Sequence, residues 1–556
     1  MKMSAELFEA FESIVGPRNI SDDPAVLDSY RTPLHQSQNH FGPYFRASTP
    51  RGLAVLLPGS TEEVQSIVRL CNKYKIKFKA GSTFWSSMSN ISDDNAITLD
   101  MKRMNHILEI DSNNRYAVIE PYVIGAELQA EAMKVGLNTT IIGAGGSCST
   151  LAGTSSWSGG GPSGIFMGLL SENLLAAEWV MPDGEIIRTG SLGSGEGWFC
   201  GEGPGPSIRG IFRANLGAAG AMGVCTKIAV RLAVWPGPPE LPSVGIGSSY
   251  MAALPDNITA FTLCFPSWKG WADAAIMLFR SDIAYIAHRQ FNFFGRELKG
   301  AMLKILTDPN KSLSDLETLL EDPKVREQTK EMKIEFQIVI AGFTQRDFEY
   351  KLKVIDKILA DTGGWKASLT EEPDIKNWML LYLIRLGHKN LNFSYCGGYE
   401  GCFGIMVGPL DFGAAVVEKA ADFKLQWENN HTGIVSAGGD SAMLSISTAG
   451  GGGGAGWEFF TCFDSHDPDS VECAREFHYN TNKFGLENGW GPDMGVQHTD
   501  ARDPDGYSVP AEVQEAGLIH TLQPQAFEYQ WKIREAFNPN HLGDSYYRTL
   551  QPRNRN

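Results

Sequence analysis

Apolar and polar positions along the first 240 residues follow two alternating periods. Leu53–Leu57 is a short apolar run closed by Pro58-Gly59. Ser60-Thr61-Glu62-Glu63 follows, with a hydroxyl at a helix cap and a carboxylate three residues on, the spacing of a capping box. Val64, Ile67, Val68 and Cys71 then recur at helical spacing, and Ile76–Phe78 reads as the next strand, which completes a β–α–β unit. Ala96–Leu99 and Tyr116–Ile119 read as strands, and Gly125–Val135 as a helix stopped by Gly136. Leu174–Val180 and Glu185–Thr189 flank the turn Pro182-Asp183-Gly184, a hairpin signal. Val224–Val234 is a long apolar strand that runs into Pro236-Gly237-Pro238-Pro239.

That proline cluster is the natural domain boundary. The pattern predicts a first domain over 1–237, a second over 238–500 and a C-terminal segment, 501–556, that returns to the first. The second mixes strands and helices. Leu313–Ile334 is charged and helical in pattern, and the glycine run Gly450–Gly454 reads as a flexible loop or a close approach to another backbone. Phe393-Ser394-Tyr395-Cys396-Gly397-Gly398-Tyr399 begins an aromatic strand, and Ala526–Phe537 is a helix stopped by Asn538-Pro539-Asn540. A chain of 556 residues exceeds what one core usually holds, so two domains also suit its length.

A net charge of −16 gives no general attraction for nucleic acid or anionic membrane, and no basic cluster reverses it locally. The acidic N-terminal stretch lacks the apolar core of a signal peptide, and no run reaches the length of a membrane span. A cytoplasmic location is the resulting expectation. Nine scattered cysteines without CxxC spacing argue against a disulfide framework or an iron–sulfur cluster.

Three glycine-rich stretches carry the candidate chemistry. Ala80-Gly81-Ser82-Thr83-Phe84-Trp85 follows a strand. Gly143-Ala144-Gly145-Gly146-Ser147 continues to Gly153-Thr154 and Gly159-Gly160-Gly161. Gly217 to Gly223 precedes Val224 and its strand. Small residues let a ligand approach the backbone amides, and the hydroxyls of Ser82, Thr83, Ser147 and Thr154 add donors, a combination suited to a pyrophosphate. Each loop alone reads more readily as a tight turn. No Walker loop and no GxGxxG after a strand is present. What raises the functional reading is three such loops in collinear order.

The ordered segments LLPGSTEEVQSIVRLCNKYKIKFKAGSTFW, ITLDMKRMNHILEID, AVIEPYVIGAELQ, GAGGSCSTLAGTSSWSGGG, WVMPDGEIIRTG and GVCTKIAVRL resemble the FAD domain of the vanillyl-alcohol oxidase and para-cresol methylhydroxylase superfamily. Glycolate oxidase and D-lactate dehydrogenase flavin subunits belong to the same group. The resemblance implies an α+β fold: a two-subdomain FAD-binding domain with a mixed α/β cap over the substrate. By that resemblance Gly81, Ser82, Thr83, Phe84 and Trp85 wrap the pyrophosphate. Gly145, Gly146, Ser147, Gly153 and Thr154 line the flavin and its phosphates. Gly223 and Val224 hold the adenosine and flavin edge, Pro121 lies near the adenine, and Asn540 is a flavin contact. The implied function is oxidation of an alcohol, a hydroxy acid or a para-alkylphenol by hydride transfer to FAD. The alternative is a flavin-carrying or non-catalytic subunit of a larger oxidoreductase complex.

Departures from the family pattern narrow this. The 80–90 loop has no histidine, which excludes a covalent flavin link there. Where phenol oxidisers carry Tyr-Arg, the chain reads Gly491 to His498, without the pair that binds a phenolate. Where hydroxy-acid dehydrogenases carry metal-binding histidines, Ser436–Ser441 keeps only Gly439-Asp440, so no catalytic metal is expected. Alcohol oxidation needs a base for the hydroxyl proton. His498 is the first positional candidate and Asp493 the second, against the plainer reading of each as structural. Tyr395, Tyr399 and Tyr546-Tyr547-Arg548 are weaker candidates that read more simply as packing. The expected partners are a small-molecule substrate, a separate electron-acceptor protein, and a second copy of the chain or other subunits of a complex.

Overall fold

The computed structural model describes residues 3–31, 50–84, 89–141, 149–157, 160–191, 195, 197–198, 222–241, 243–244, 251–252, 255–289, 318, 323, 332–371, 373–385, 397–431, 434–435, 442–449, 452–464, 467–488 and 532–544. It is an α+β protein with two sheets in the N-terminal part and a large sheet after residue 250.

The first sheet orders Ile20–Ser21, Ala54–Leu56, Ala96–Asp100 and Lys77–Gly81, with the last three parallel. Helix Thr61–Tyr74 connects two of them and buries Val64, Ile67, Val68 and Cys71 against the sheet. Its start is the capping arrangement expected: Ser60 Oγ accepts the Glu63 amide at 3.2 Å. The Glu63 carboxylate reaches one residue further back, to the Gly59 amide at 2.7 Å. The C-terminal segment extends this sheet beside Phe78, whose amide donates to Leu542 O and whose carbonyl accepts the Asp544 amide.

The second sheet is antiparallel and orders Ile107–Asp111, Tyr116–Ile119, Val224–Arg231, Leu174–Val180 and Ile186–Arg188. The long strand expected to run to Val234 stops at Arg231. There Leu232 donates to Arg115 O, and Ala233–Val234 changes partner to Leu137–Asn138. Val180 and Val224 of this sheet pack into the same core as Phe78 and Ile67, which joins the two halves.

A polar cluster makes the same junction. Glu178 is almost fully enclosed. Its Oε1 accepts from Thr61 Oγ1 (2.8 Å) and from Lys227 Nζ (2.7 Å), and its Oε2 from Arg188 Nε (2.9 Å). Thr61 opens the helix of the first half, while the other partners lie in the second sheet.

The third sheet orders Trp365–Lys366, Ile258–Cys264, Glu335–Ala341, Ile286–Arg289, Ala442–Ala449, Gly452–Asp464 and Gly397–Gly408, with Ile434–Val435 pairing at one side. Its core gathers Trp271, Phe336, Ile338 and Ile355. Two expectations change here. Gly452–Gly454 is not a loop but strand, paired with Ser447–Ala449, and the close neighbour of Gly453 is the Phe279 ring rather than a backbone. The helix expected over Leu313–Ile334 differs at its end: Met332–Ile334 lies outside any helix and turns into the strand Glu335–Ala341, while Thr318 and Pro323, the other described residues of that stretch, are helical. Among the described residues no helix is long and apolar enough to cross a membrane.

Burial opposes ionisation of Glu178, but hydrogen bonds from Lys227 and Thr61 and the Lys227 charge outweigh it and hold the carboxyl below its ordinary 4.5. A depressed carboxylate stabilises fully above its unfolded value and loses that contribution as pH falls through the folded one. Glu178→Ala is expected to cost about 3 kcal/mol in urea unfolding at neutral pH, because it strands Lys227. Glu178→Gln is expected to flatten the loss of stability that the native protein undergoes below pH 4.5.

Candidate functional site

The parallel strand Lys77–Gly81 delivers the first glycine-rich loop at its C-terminal end, where ligands of parallel sheets bind. Ser82 Oγ lies 2.9 Å from Thr150 Oγ1. Thr150 in turn accepts the Gly153 amide at 3.4 Å and opens helix Leu151–Trp157, the continuation of the second loop. The first two loops are therefore tied side by side. Thr150 was not anticipated from the sequence; the only signal was its place between two small-residue runs.

The first loop has a tight internal shape. Phe84 takes a left-handed backbone, φ 51°, uncommon for a large side chain. Its ring folds back over Gly81, where a Cβ would lie 2.4 Å from a ring carbon. Only glycine fits beneath that ring. The other face of the Phe84 ring region meets the edge of Tyr30, with centroids 5.0 Å apart at 88°.

Tyr30 is itself held. Its hydroxyl donates to Asp100 Oδ2 at 2.6 Å and accepts from Lys102 Nζ at 3.3 Å. Burial first, and the Asp100 hydrogen bond next, push the phenol up to about 12, so it stays protonated at physiological pH. Beyond the loop, Asn90 Nδ2 donates to Arg31 O, and the buried Asp544 carboxylate accepts from both the amide and the hydroxyl of Ser92. The residues 541–544 that depart from the usual family ending thus pin the return of this loop.

The other expected contacts are dispersed. Thr83 is half-buried beside Ser82, and Thr154 is buried with its hydroxyl donating to Thr150 O at 2.9 Å. Gly223 has φ +97°, and a Cβ there would lie 2.1 Å from Val180 O, so the strand contact by itself demands glycine. Val224 is core. Pro121 is buried after strand Tyr116–Ile119. Asn540 is exposed beside Asn72, near the C-terminal end of helix Thr61–Tyr74 rather than at the Ser82 loop. Trp85, Gly145, Gly146, Ser147, Asp493 and His498, with Tyr395 and Tyr546–Arg548, lie outside the described residues.

A narrow crevice lies between the N-terminal part and the part that bears the third sheet. Gln129, Asn138, Thr139, Pro162 and Ser163 line one side, and Tyr285, Ile286 and Ile384 the other. Asn138 Nδ2 donates to Tyr285 Oη at 3.0 Å and Gln129 Nε2 to Ile384 O at 2.9 Å, so the third sheet is fastened over the second loop region. Gln129 Oε1 is enclosed without a partner among the described residues. Next to Ile384, the Arg385 Nε is likewise enclosed and unpartnered, and burial lowers the guanidinium's affinity for its proton.

The residues at the tied loops suit FAD. Ser155 Oγ in the helix after Thr150, and Asn90 Oδ1 at the back of the first loop, are both buried without partners among the described residues. Buried polar atoms of this kind are normally satisfied, and a polar ligand seated between these loops offers both donors and acceptors. Gly153, in the helix after Thr150, is exposed and brings no side chain to bar a close approach there.

Residues 52–190 match the family described as FAD binding domain. The chain is 26% identical over 234 residues to glycolate oxidase subunit GlcD of Bacillus subtilis, covering 41% of this chain and 45% of that protein. It is 26% identical over 222 residues to D-2-hydroxyglutarate dehydrogenase of Stutzerimonas stutzeri, covering 38% and 46%. The matches span less than half of these relatives. Over the whole chain the fold is that of p-cresol methylhydroxylase solved with substrate bound (TM-score 0.68, 16% identity, 99% of this chain and 98% of that one). It is equally that of 4-ethylphenol oxidase from Gulosibacter chungangensis (TM-score 0.67, 19% identity, 99% of both chains).

Two substitutions probe the local geometry. Thr150→Val removes the atom that ties both loops and is expected to cost about 1 kcal/mol in thermal or urea unfolding. Gly223→Ala places a methyl group against Val180 O and is expected to cost at least about 3 kcal/mol in the same assay.

Proposed function

We propose, from the premise that the chain carries the FAD-binding domain of the para-cresol methylhydroxylase-type superfamily, that it is an FAD-dependent oxidoreductase of a small organic substrate. The observation that supports this reading best is the tie between Ser82 and Thr150, which holds two glycine-rich loops together at the end of a parallel strand. Bound FAD supplies a two-electron acceptor for hydride removed from a C–H bond. The chain's own contribution is binding, orientation and proton removal. Gly81–Trp85 cradle the diphosphate, and the second loop with Gly145, Gly146, Ser147, Gly153 and Thr154 lies along the flavin. The cap sheet, fastened through Asn138–Tyr285 and Gln129–Ile384, excludes water from the substrate.

Among the three substrate classes, Arg385, next in sequence to the crevice residue Ile384 and with its Nε unpartnered among the described residues, is the feature that speaks for an anionic one, a hydroxy acid, over a neutral alcohol. The absent Tyr-Arg pair weighs against a para-alkylphenol. His498 is the proposed base for the substrate hydroxyl, with Asp493 as the second candidate. Electrons leave the flavin to oxygen or to a separate acceptor protein, and the working unit is proposed to be a homodimer or part of a complex.

Purified protein is expected to show flavin absorption that is released to the supernatant by acid precipitation. The bands are expected to bleach anaerobically with a small 2-hydroxy acid. A flavin that no member of a broad panel bleaches would support the alternative, a flavin-carrying subunit. His498→Ala is expected to lower kcat by about 10²–10⁴-fold, the usual contribution of a general base, with little change in bound flavin.

A further inference from the structure

We propose that the N-terminal segment Pro24–Arg31, which precedes the residues matched as an FAD-binding domain, is a strap that sets the shape of the diphosphate loop, with Tyr30 as its positioning residue. The inference rests on the reading of Gly81–Phe84 as that loop.

Three contacts carry it. At the front of the loop, the Tyr30 ring edge meets Phe84, which holds an uncommon left-handed backbone and covers Gly81 with its ring. At the back, Arg31 O accepts from Asn90 Nδ2, so adjacent strap residues engage both ends of the stretch 84–90. Tyr30 is fixed by Asp100, which ends the parallel strand Ala96–Asp100 next to the strand that bears the loop, and by Lys102 just after it. The strap itself is anchored by Arg51, whose guanidinium donates twice to Asp28 at 2.8 Å.

A left-handed, non-glycine residue persists only where its surroundings determine it. Within the loop, Gly81 offers Phe84 space but no restraint. The ring contact that restrains Phe84 comes from Tyr30. Without it the Phe84 backbone is free to relax to a right-handed or extended form, which re-aims the loop away from a bound diphosphate. The phenol hydroxyl serves to hold the ring; it needs to touch no ligand.

The test uses the full-length protein stripped of flavin, titrated with FAD and separately with riboflavin, which lacks phosphate. Tyr30→Ala is expected to weaken FAD about three- to tenfold, the size of an aromatic contact, while riboflavin affinity stays as in the native protein. Tyr30→Phe keeps the ring edge and is expected to bind FAD within about twofold of native. Phe84→Ala, which removes the other ring, is expected to reproduce the Tyr30→Ala loss and serves where Tyr30→Ala does not fold. Native FAD affinity in Tyr30→Ala, or an equal loss for FAD and riboflavin, overturns the strap. Ser82→Glu separates the two readings, since a carboxylate there repels a diphosphate. Lost FAD binding in Ser82→Glu beside native binding in Tyr30→Ala leaves the loop assignment standing and the strap refuted. Native binding in Ser82→Glu removes the loop assignment and the strap with it.

Discussion

The arrangement depends first on the junction between two sheets of opposite character, one mainly parallel and one antiparallel, and Glu178 is its polar fastening. A single carboxylate with two oxygens cannot satisfy itself within one strand. Here it draws a hydroxyl from the start of helix Thr61–Tyr74 and cations from Arg188 and Lys227. An enclosed carboxylate is tolerated only when its hydrogen-bonding capacity is used, so the cost of burying it enforces one relative position of the halves. Because the first glycine-rich loop leaves one half and the helix with Thr150 and Gly153 belongs to the other region, the 2.9 Å Ser82–Thr150 contact is possible only in that position.

Local order was readable in the sequence to the extent that its causes are local. The capping hydroxyl of Ser60, the apolar stripe of helix Thr61–Tyr74 and the turn at Pro182–Gly184 each lie within one element and behave as their pattern predicts, while the Glu63 carboxylate reaches one residue past the cap. The glycine loops were recognisable for the same reason. The failures have causes far along the chain. Val224–Val234 reads as one long strand, yet beyond Arg231 its pairing passes from the Tyr116–Ile119 strand to Leu137–Asn138, a partner its own residues do not announce. Gly452–Gly454 looked like a flexible loop because a sequence cannot display the Phe279 ring that needs the space.

The site was legible in part, and in the same sense. Gly81, Ser82 and Gly153 announce a close backbone approach by their size. Tyr30, Thr150 and Asp544 carry no motif, and their roles exist only once the loop they hold has been placed. Gly223 illustrates the converse: it was read as a ligand contact, while its positive φ and the neighbouring Val180 carbonyl already require glycine whatever binds there.

The pairing of Leu542–Asp544 with Phe78 and Ser92 bears on the order in which the molecule can be made. Ser92 and Asp544 are separated by 452 positions. During synthesis the first sheet emerges early but lacks its neighbouring segment, and Ser92 lacks its partner, until residue 544 has left the ribosome. The contact closes a very long loop, and the entropy of that closure is repaid only when its two ends meet. A chain cut before residue 542 lacks the segment that pairs with Phe78 and holds Ser92, so its first sheet stays incomplete.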